Sequence, residues 1–170
     1  MSDEKKTFPE WHDLGVELKS QGRLEEAEHA FRKATEVAPA NAVAWWNLGA
    51  VLARQNKSKE AEHAFKKSTK FDPTDVDTWI GLGIAYEQQE KIKDASKAYK
   101  KAAETDPSNT RAWFKLAHML SSMEKYKDAE KALRKAYELE PSNFEIKQAL
   151  ALTIGAQGRF EEMQKMLYGN

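Results

Sequence analysis

Hydrophobic and small residues recur at spacings of three and four in the first half of a unit that the chain repeats. In the first copy these residues are Trp11, Leu14, Gly15 and Leu18. Their equivalents are Trp45, Leu48, Gly49 and Leu52, then Trp79, Leu82, Gly83 and Tyr86, then Trp113, Leu116, Ala117 and Leu120. Such spacings predict the apolar face of a helix. The glycine or alanine beside the leucine predicts close approach by another helix, since glycine inside a helix costs about 1 kcal/mol relative to alanine.

The second half of each copy predicts a second amphipathic helix. Ala27, Phe31 and Ala34 share one face of it in the first copy. Their equivalents are Ala61, Phe65 and Ser68, then Ala95, Tyr99 and Ala102, then Ala129, Leu133 and Ala136. Each copy therefore predicts a pair of helices.

Tryptophan and proline give the length of the unit. Both recur every 34 residues, as Trp11, Trp45, Trp79 and Trp113, and as Pro39, Pro73, Pro107 and Pro141. A constant period in this range is typical of a stacked repeat protein, in which each unit covers its neighbour. The sequence predicts one continuous solenoid domain, with repeats at residues 8–41, 42–75, 76–109 and 110–143 and a partial or capping repeat at 144–170.

Turn and capping residues separate the predicted helices. Equivalent turns within the copies contain Gly22, Asn56, Glu90, Glu124 and Gly158. Each proline is followed two residues later by a residue suited to cap the next helix, namely Asn41, Asp75, Asn109 or Asn143. Thr7 and Glu10 predict a capping box at the start of the first helix. Residues 1–7 are expected to form a disordered N-terminal segment.

The order Trp–Leu–Gly–Tyr, then Ala–Phe/Tyr–Ala, then Pro resembles the tetratricopeptide repeat (TPR) family over residues 8–170. The resemblance implies an all-α fold, a right-handed superhelical solenoid of antiparallel helix pairs with about five repeats. The fifth copy departs from the pattern, with Lys147 in place of tryptophan, Met163 in place of alanine and Leu167 in place of the aromatic residue. Terminal repeats are often atypical because one face meets water.

Composition and charge argue against several classes of function. The 27 basic residues balance 27 acidic ones and form no evident basic stripe, so nucleic-acid binding is not expected. No apolar run approaches the ~20 residues that span a bilayer, and the first residues lack the apolar stretch of a signal peptide. A cytoplasmic protein without membrane contact is therefore expected. The absence of cysteine excludes disulfides and fits a reducing compartment.

The four histidines do not predict a catalytic or metal site. His29 and His63 occupy equivalent positions on the outer side of second helices, and the adjacent glutamates repeat in step with them rather than converging on a metal. His12 and His118 lie on first helices, with no serine, cysteine or paired carboxylate at a catalytic spacing. The sequence predicts a protein that is not an enzyme and that uses no metal or cofactor.

The family resemblance also implies a ligand surface. It places the second, fifth, sixth, ninth, twelfth and thirteenth residues of each copy on a concave face that commonly holds peptides. The predicted groove consists of His12, Val16, Trp46, Asn47, Ala50, Arg54, Ile80, Ile84, Arg111, Phe114, Lys115, His118 and Leu152. A contiguous apolar and aromatic patch of this kind often marks a partner site. The alternative is that Trp46 packs against neighbouring helices and that Ile80 and Ile84 pack between first helices.

Polar residues beside this stripe indicate how a ligand can be held. Asn47 is expected to contact a ligand backbone, and Arg111 or Lys115 to pair with an acidic side chain. Some TPR proteins grip a terminal carboxylate with Lys, Asn and Arg at set places. This sequence departs from that set, and Asp77 at one of the places would repel a carboxylate. The expected partner is a protein or peptide, bound in extended or helical form by a non-enzymatic scaffold.

The C-terminal copy suggests an alternative function. Ile154, Phe160, Met163 and Leu167 are predicted to leave an apolar edge, because no polar capping helix follows them. Through this edge the chain can form a homodimer or stack as a self-assembling structural repeat.

Overall fold

The computed structural model describes residues 6–169, which contain ten helices and no strand. The helices are α1 (Phe8–Ser20), α2 (Leu24–Val37), α3 (Ala42–Arg54), α4 (Ser58–Phe71), α5 (Val76–Glu87), α6 (Ile92–Thr105), α7 (Thr110–Ser122), α8 (Tyr126–Leu139), α9 (Phe144–Gly155) and α10 (Phe160–Tyr168). The odd-numbered helices begin at the first residues of the predicted repeats. Of the expected N-terminal segment, residues 1–5 lie outside the described residues, and Thr7 is the N-cap of α1.

The chain divides into two compact units, Met1–Glu90 and Lys91–Asn170. In the first unit α1 packs on α2 and α3 packs on α4, and contacts of α2 with α3 and of α4 with α5 join successive pairs. In the second unit α7 packs on α8 and α9 on α10, and α6 with α7 and α8 with α9 make the joining contacts. Each unit therefore contains two complete predicted helix pairs, and the third predicted pair is divided, with α5 in the first unit and α6 in the second.

Hydrogen bonds at the helix starts confirm the predicted caps. The side chain of Asn41 accepts from the Ala44 amide at 3.1 Å, and that of Asn109 accepts from the Ala112 amide at 3.0 Å. Asp75 and Asn143 cap α5 and α9 in the same way. The Thr7 amide donates to the Glu10 carboxylate at 2.7 Å as part of the predicted capping box. These side chains satisfy amides that a helix start leaves without a partner.

The repeated tryptophans make a contact that the sequence pattern did not predict. The indole N–H groups of the second, third and fourth of these tryptophans donate to the carbonyl oxygen of the proline six residues earlier. The pairs are Trp45 with Pro39 at 2.8 Å, Trp79 with Pro73 at 2.8 Å and Trp113 with Pro107 at 2.9 Å. These indoles are only half-buried, so they tie a helix to the loop before it as well as packing against the core.

The small residues of the first helices allow the close approach that the sequence predicts. A Cβ atom on Gly49 would lie 2.9 Å from the ring of Phe65, and one on Gly81 would lie 2.6 Å from the same ring. Such distances are too short for ordinary contact. The buried Phe65 side chain of α4 therefore packs directly against the backbones of α3 and α5.

Buried glutamates join successive repeats inside each unit. Glu28 accepts hydrogen bonds from Arg32 of its own helix at 2.8 Å and from Lys57 of the next repeat at 2.7 Å. Burial acts to raise the pKa of Glu28, but the hydrogen bonds from Lys57 and Arg32 outweigh it and the pKa lies below its ordinary value. In the second unit Glu130 joins Arg134 and Arg159 in the same arrangement, and its pKa is lowered likewise. Both carboxylates are therefore ionised at neutral pH.

The turns inside the helix pairs share a left-handed backbone. The residues are Gly22, Asn56, Glu90, Glu124 and Gly158, with φ values of +76°, +60°, +57°, +58° and +79°. Glycine adopts this conformation without a steric penalty, whereas a residue with a Cβ atom pays about 1–2 kcal/mol. The two glutamates are therefore held in a conformation that glycine adopts more easily.

Replacing Glu124 with glycine is expected to raise the free energy of unfolding by about 0.5–1 kcal/mol. The gain from removing the Cβ atom exceeds the entropy that glycine adds to the unfolded chain. Urea denaturation followed by circular dichroism measures the change. Glu138→Gly, in the last turn of α8, is the matched control and should lower stability, because glycine weakens the helix and the ion pair with Lys135 is lost. Equal destabilisation by both substitutions would contradict the prediction.

Candidate functional site

The predicted groove residues of the first unit lie on α1, α3 and α5, and Trp46 of α3 lies close to a side chain of α1. The indole of Trp46 is half-buried, and the ammonium of Lys19 lies 5.4 Å from its ring centre. Lys19 also donates a hydrogen bond of 2.9 Å to the side-chain oxygen of Asn47. These contacts hold α1 against α3 next to the tryptophan.

The Asn47 side chain is buried and makes hydrogen bonds within the protein. Its side chain is 4% exposed, and its amide nitrogen donates to the backbone oxygen of Val43 at 3.1 Å while its oxygen accepts from Lys19. The sequence predicted a contact between Asn47 and a ligand backbone. In the structure both polar atoms of the amide already have partners inside the protein, and the contact with a ligand stays a prediction.

Ile80 also differs from the predicted groove. Its side chain is 2% exposed and forms part of the core, whereas Ile84, one helical turn later, is half-buried. The reason is that α5 buries residues on more than one side, including Thr78, Leu82 and Ala85. The exposed part of the predicted apolar stripe is therefore smaller than the sequence suggests.

One side of Trp46 is positively charged. Burial lowers the pKa of the Lys19 ammonium, and the positive charge of Arg54 lowers it further. His12 lies close by, with its ring nitrogens 3.2 Å from a carboxylate oxygen of Asp13 and 3.4 Å from the amide nitrogen of Asn47. Lys19 is the twelfth residue of its copy, a place that the family resemblance assigns to the concave face.

The remaining groove residues of α1 and α3 border this positive side. Val16 is 39% exposed and Ala50 is half-buried. The Arg54 side chain is exposed. Together they give the inner side of these helices a mixture of apolar surface and positive charge.

Trp46 also lines a cleft with acidic walls, which the sequence pattern did not predict. The cleft has a volume of about 430 Å³ and is lined by Ala42, Val43, Trp46, Ser68, Asp72, Thr74, Asp75 and Asp77. Three aspartates within the segment 72–77 were a usable signal. Asp75 was interpreted only as a helix cap and Asp77 only as an obstacle to a carboxylate ligand.

Two of these aspartates also hold the backbone of the cleft. Asp72 accepts hydrogen bonds from the hydroxyl of Thr74 at 2.7 Å and from its amide at 2.9 Å. These bonds lower the pKa of Asp72. Asp75 caps α5 by accepting from the amides of Asp77 and Thr78. The carboxylates are thus fixed at the rim of the cleft by the same turn that starts α5.

The groove residues of the second unit lie on α7 and α9. Phe114 and Lys115 are half-buried on α7, where Arg111 and His118 are exposed. Leu152 on α9 is 59% exposed. Within this unit the structure therefore supplies aromatic, aliphatic and basic side chains at accessible positions.

The predicted apolar edge is partly exposed and partly core. Phe160 is 62% exposed, and Met163 and Leu167 are half-buried on α10, which has no fully buried residue. Ile154 does not belong to this edge, because it is completely buried on α9. It continues a core-facing row of residues four apart that begins with Ile146 and Leu150.

Residues 6–169 contain no group of three or more histidine, cysteine, aspartate or glutamate side chains that could hold a metal ion. None of their helices has the length and apolar character needed to cross a membrane.

Comparison with protein families identifies the repeats. Three family models described as tetratricopeptide repeat match residues 12–76, 76–119 and 110–143. The chain belongs to the tetratricopeptide repeat family. No curated protein sequence matches this TPR chain significantly.

Solved structures with the same fold include other TPR proteins. A crystal structure of MamA has a TM-score of 0.89 and 22% identity, covering 94% of this chain and 87% of that chain. MamA from residue 41 to its end, from Desulfovibrio magneticus RS-1, has a TM-score of 0.86 and 17% identity, covering 99% and 94%. YrrB, described as a TPR protein with an unusual peptide-binding site, has a TM-score of 0.84 and 22% identity, covering 97% and 84%. At these identities the similarity shows the all-α TPR fold alone.

Proposed function

We propose that this TPR protein-interaction scaffold binds a peptide or helix of a partner protein around Trp46 on the first unit. The proposal rests on the half-buried indole of Trp46, because this side chain does not make the structural hydrogen bond that Trp45 makes. Trp45 donates its N–H to Pro39 and so has a structural role, whereas Trp46 borders both the positive side and the acidic cleft. A solved structure of the same fold is described as having an unusual peptide-binding site, which is consistent with this use.

The surroundings of Trp46 suit a peptide anchor. Exposed aliphatic surface adjoins it at Val43, and charged groups near it include Lys19 and the aspartates of the cleft. Tryptophan is enriched among the few residues that supply most of the binding energy at protein interfaces. The corresponding role of Arg111, Phe114, Lys115, His118 and Leu152 in the second unit stays a prediction, as do a cytoplasmic location and the lack of enzymatic activity.

Loss of peptide binding by Trp46→Glu is the expected result of a direct test. A displayed library of random peptides is selected on the parent protein, and the enriched peptides are then titrated against the variant. Removing a central aromatic anchor is expected to weaken binding by about thirtyfold or more. Val37→Glu is the matched control, because it places the same charge on an exposed apolar residue at the end of α2.

The comparison of the two variants decides the proposal. Binding that survives Val37→Glu and disappears in Trp46→Glu supports it, provided that circular dichroism shows both variants to be folded. Equal binding by the parent and Trp46→Glu would overturn it.

Self-association is a second candidate function, favoured by the exposure of α10. Phe160 and Tyr168 are 62% and 75% exposed on this helix. A dimer formed through this apolar surface would show a molar mass in solution that rises with concentration and is returned to that of a monomer by Leu167→Glu. A constant monomer mass over a wide concentration range would overturn this candidate.

A further inference from the structure

The residues that line the acidic cleft beside Trp46 favour one kind of ligand side chain. We infer that it receives a lysine or arginine side chain of the bound peptide, an inference that rests on the peptide-binding function proposed above. The cleft is lined both by Val43 and Trp46 of α3 and by Asp72 and Asp77, which flank the start of α5. Its occupant must therefore be apolar along one part and positively charged at another.

Lysine and arginine match both walls of the cleft. Their aliphatic stems bury well against apolar surface while the charged head stays near water or a carboxylate. Val43 is 53% exposed and offers such a surface next to the Trp46 ring. A cation held against an indole gains further from the negative potential of the ring face.

The three carboxylates of the cleft differ in the hydrogen bonds that they make within the protein. Asp75 is engaged in capping α5, and Asp72 holds Thr74. The Asp77 side chain is exposed on the first turn of α5, and its carboxylate has no hydrogen bond or ion pair with another residue in the range 6–169. The Asp77 carboxylate is therefore available to pair with a bound lysine or arginine, and Asp72 can make a second contact.

The sign of the charge discriminates between the two sides of Trp46. Lys19 and Arg54 repel a basic side chain from the first side, while Asp72, Asp75 and Asp77 attract it to the cleft. The start of α5 adds a partial positive charge that opposes a cation. Asp75 compensates it as the cap, and two further full negative charges remain.

Peptide selection with charge-neutral variants tests the inference. Peptides enriched on the parent from the displayed random library are expected to share a lysine or arginine at one position. The double variant Asp72→Asn/Asp77→Asn is expected to bind them about tenfold or more weakly, because charge-assisted hydrogen bonds are among the strong ones. The affinity of the parent should also fall more steeply with added salt than that of the variant.

A control variant distinguishes the effect of the cleft carboxylates on peptide binding from the effect of the protein's net charge. Asp94→Asn/Asp128→Asn makes the same charge change on α6 and α8, which do not line the cleft, and is expected to bind as the parent does. Asp77→Asn alone is the fallback if the double variant does not fold, because Asp77 makes no side-chain hydrogen bond to lose.

The outcomes distinguish this inference from the function on which it rests. Peptides that depend on Trp46 but share no basic residue, or that bind Asp72→Asn/Asp77→Asn as tightly as the parent, would overturn the inference and leave the proposed function standing. Failure to enrich any peptide whose binding depends on Trp46 would overturn both.

Discussion

Replacing Phe65 with alanine is expected to lower the free energy of unfolding by about 3–5 kcal/mol, the range for removing a buried aromatic ring. Phe65 is 2% exposed, and its ring lies against the backbones of two helices at Gly49 and Gly81. The substitution removes the group that joins α3 and α5 to α4. Few atoms are available to refill the space, because glycine contributes no side chain at either contact.

Urea denaturation followed by circular dichroism measures this loss. Phe71→Ala is the matched control, since Phe71 ends the same helix but is 39% exposed. It should lower the free energy of unfolding by much less, because less of its apolar area leaves water on folding. Equal midpoints for Phe65→Ala and the parent would show that the ring does not join these helices.

Enlarging Gly81 to leucine is expected to destabilise the protein by about 1–3 kcal/mol, the usual range for an overpacked core. A side chain at this position begins with a Cβ atom 2.6 Å from the Phe65 ring, so either the ring or α5 must move. The gain in helix propensity, about 1 kcal/mol for replacing glycine, partly offsets this cost. Thermal and urea unfolding of the variant measure the balance.

Combining the two substitutions tests the contact itself. In the Phe65→Ala protein the space that leucine needs is open, so Gly81→Leu should cost little there or raise stability. The two effects are then strongly non-additive, as expected for residues in direct contact. Additive losses in the double variant would mean that Gly81 and Phe65 act independently, against the structure.

The helix pairs and the close packing could be predicted because they are local and repeated. Four copies of the same spacing identify the face of each helix, and glycine beside leucine signals where another helix comes close. The contact of Gly49 with Phe65 confirms that interpretation. The ion pair between Glu28 and Lys57 could not be found in the same way, because the residues are 29 positions apart and belong to different copies.

The candidate site was predicted less completely than the fold. Trp46 stood out because it follows a tryptophan that already has a repeated role. Position within a repeat indicates the direction of a side chain but not how much of a neighbouring helix covers it, so the sequence leaves the burial of Ile80 as one of two alternatives and does not predict the burial of Ile154. The acidic cleft depends on a turn that brings Asp72 and Asp77 near Trp46, and spacing along the sequence does not give that geometry.

The hydrogen bond between tryptophan and proline also gives successive copies the same connection to one another. Pro39 ends one copy and Trp45 opens the next, so the hydrogen bond crosses the junction and forms a standard connector between modules. The same bond is present at the next two junctions, where Trp79 donates to Pro73 and Trp113 to Pro107. The final junction is different, because Lys147 has no indole N–H to offer the loop of Pro141. An additional copy that begins with an indole and ends in a proline would therefore gain this hydrogen bond if it were inserted before residue 144, whereas the junction to the last helix pair lacks it.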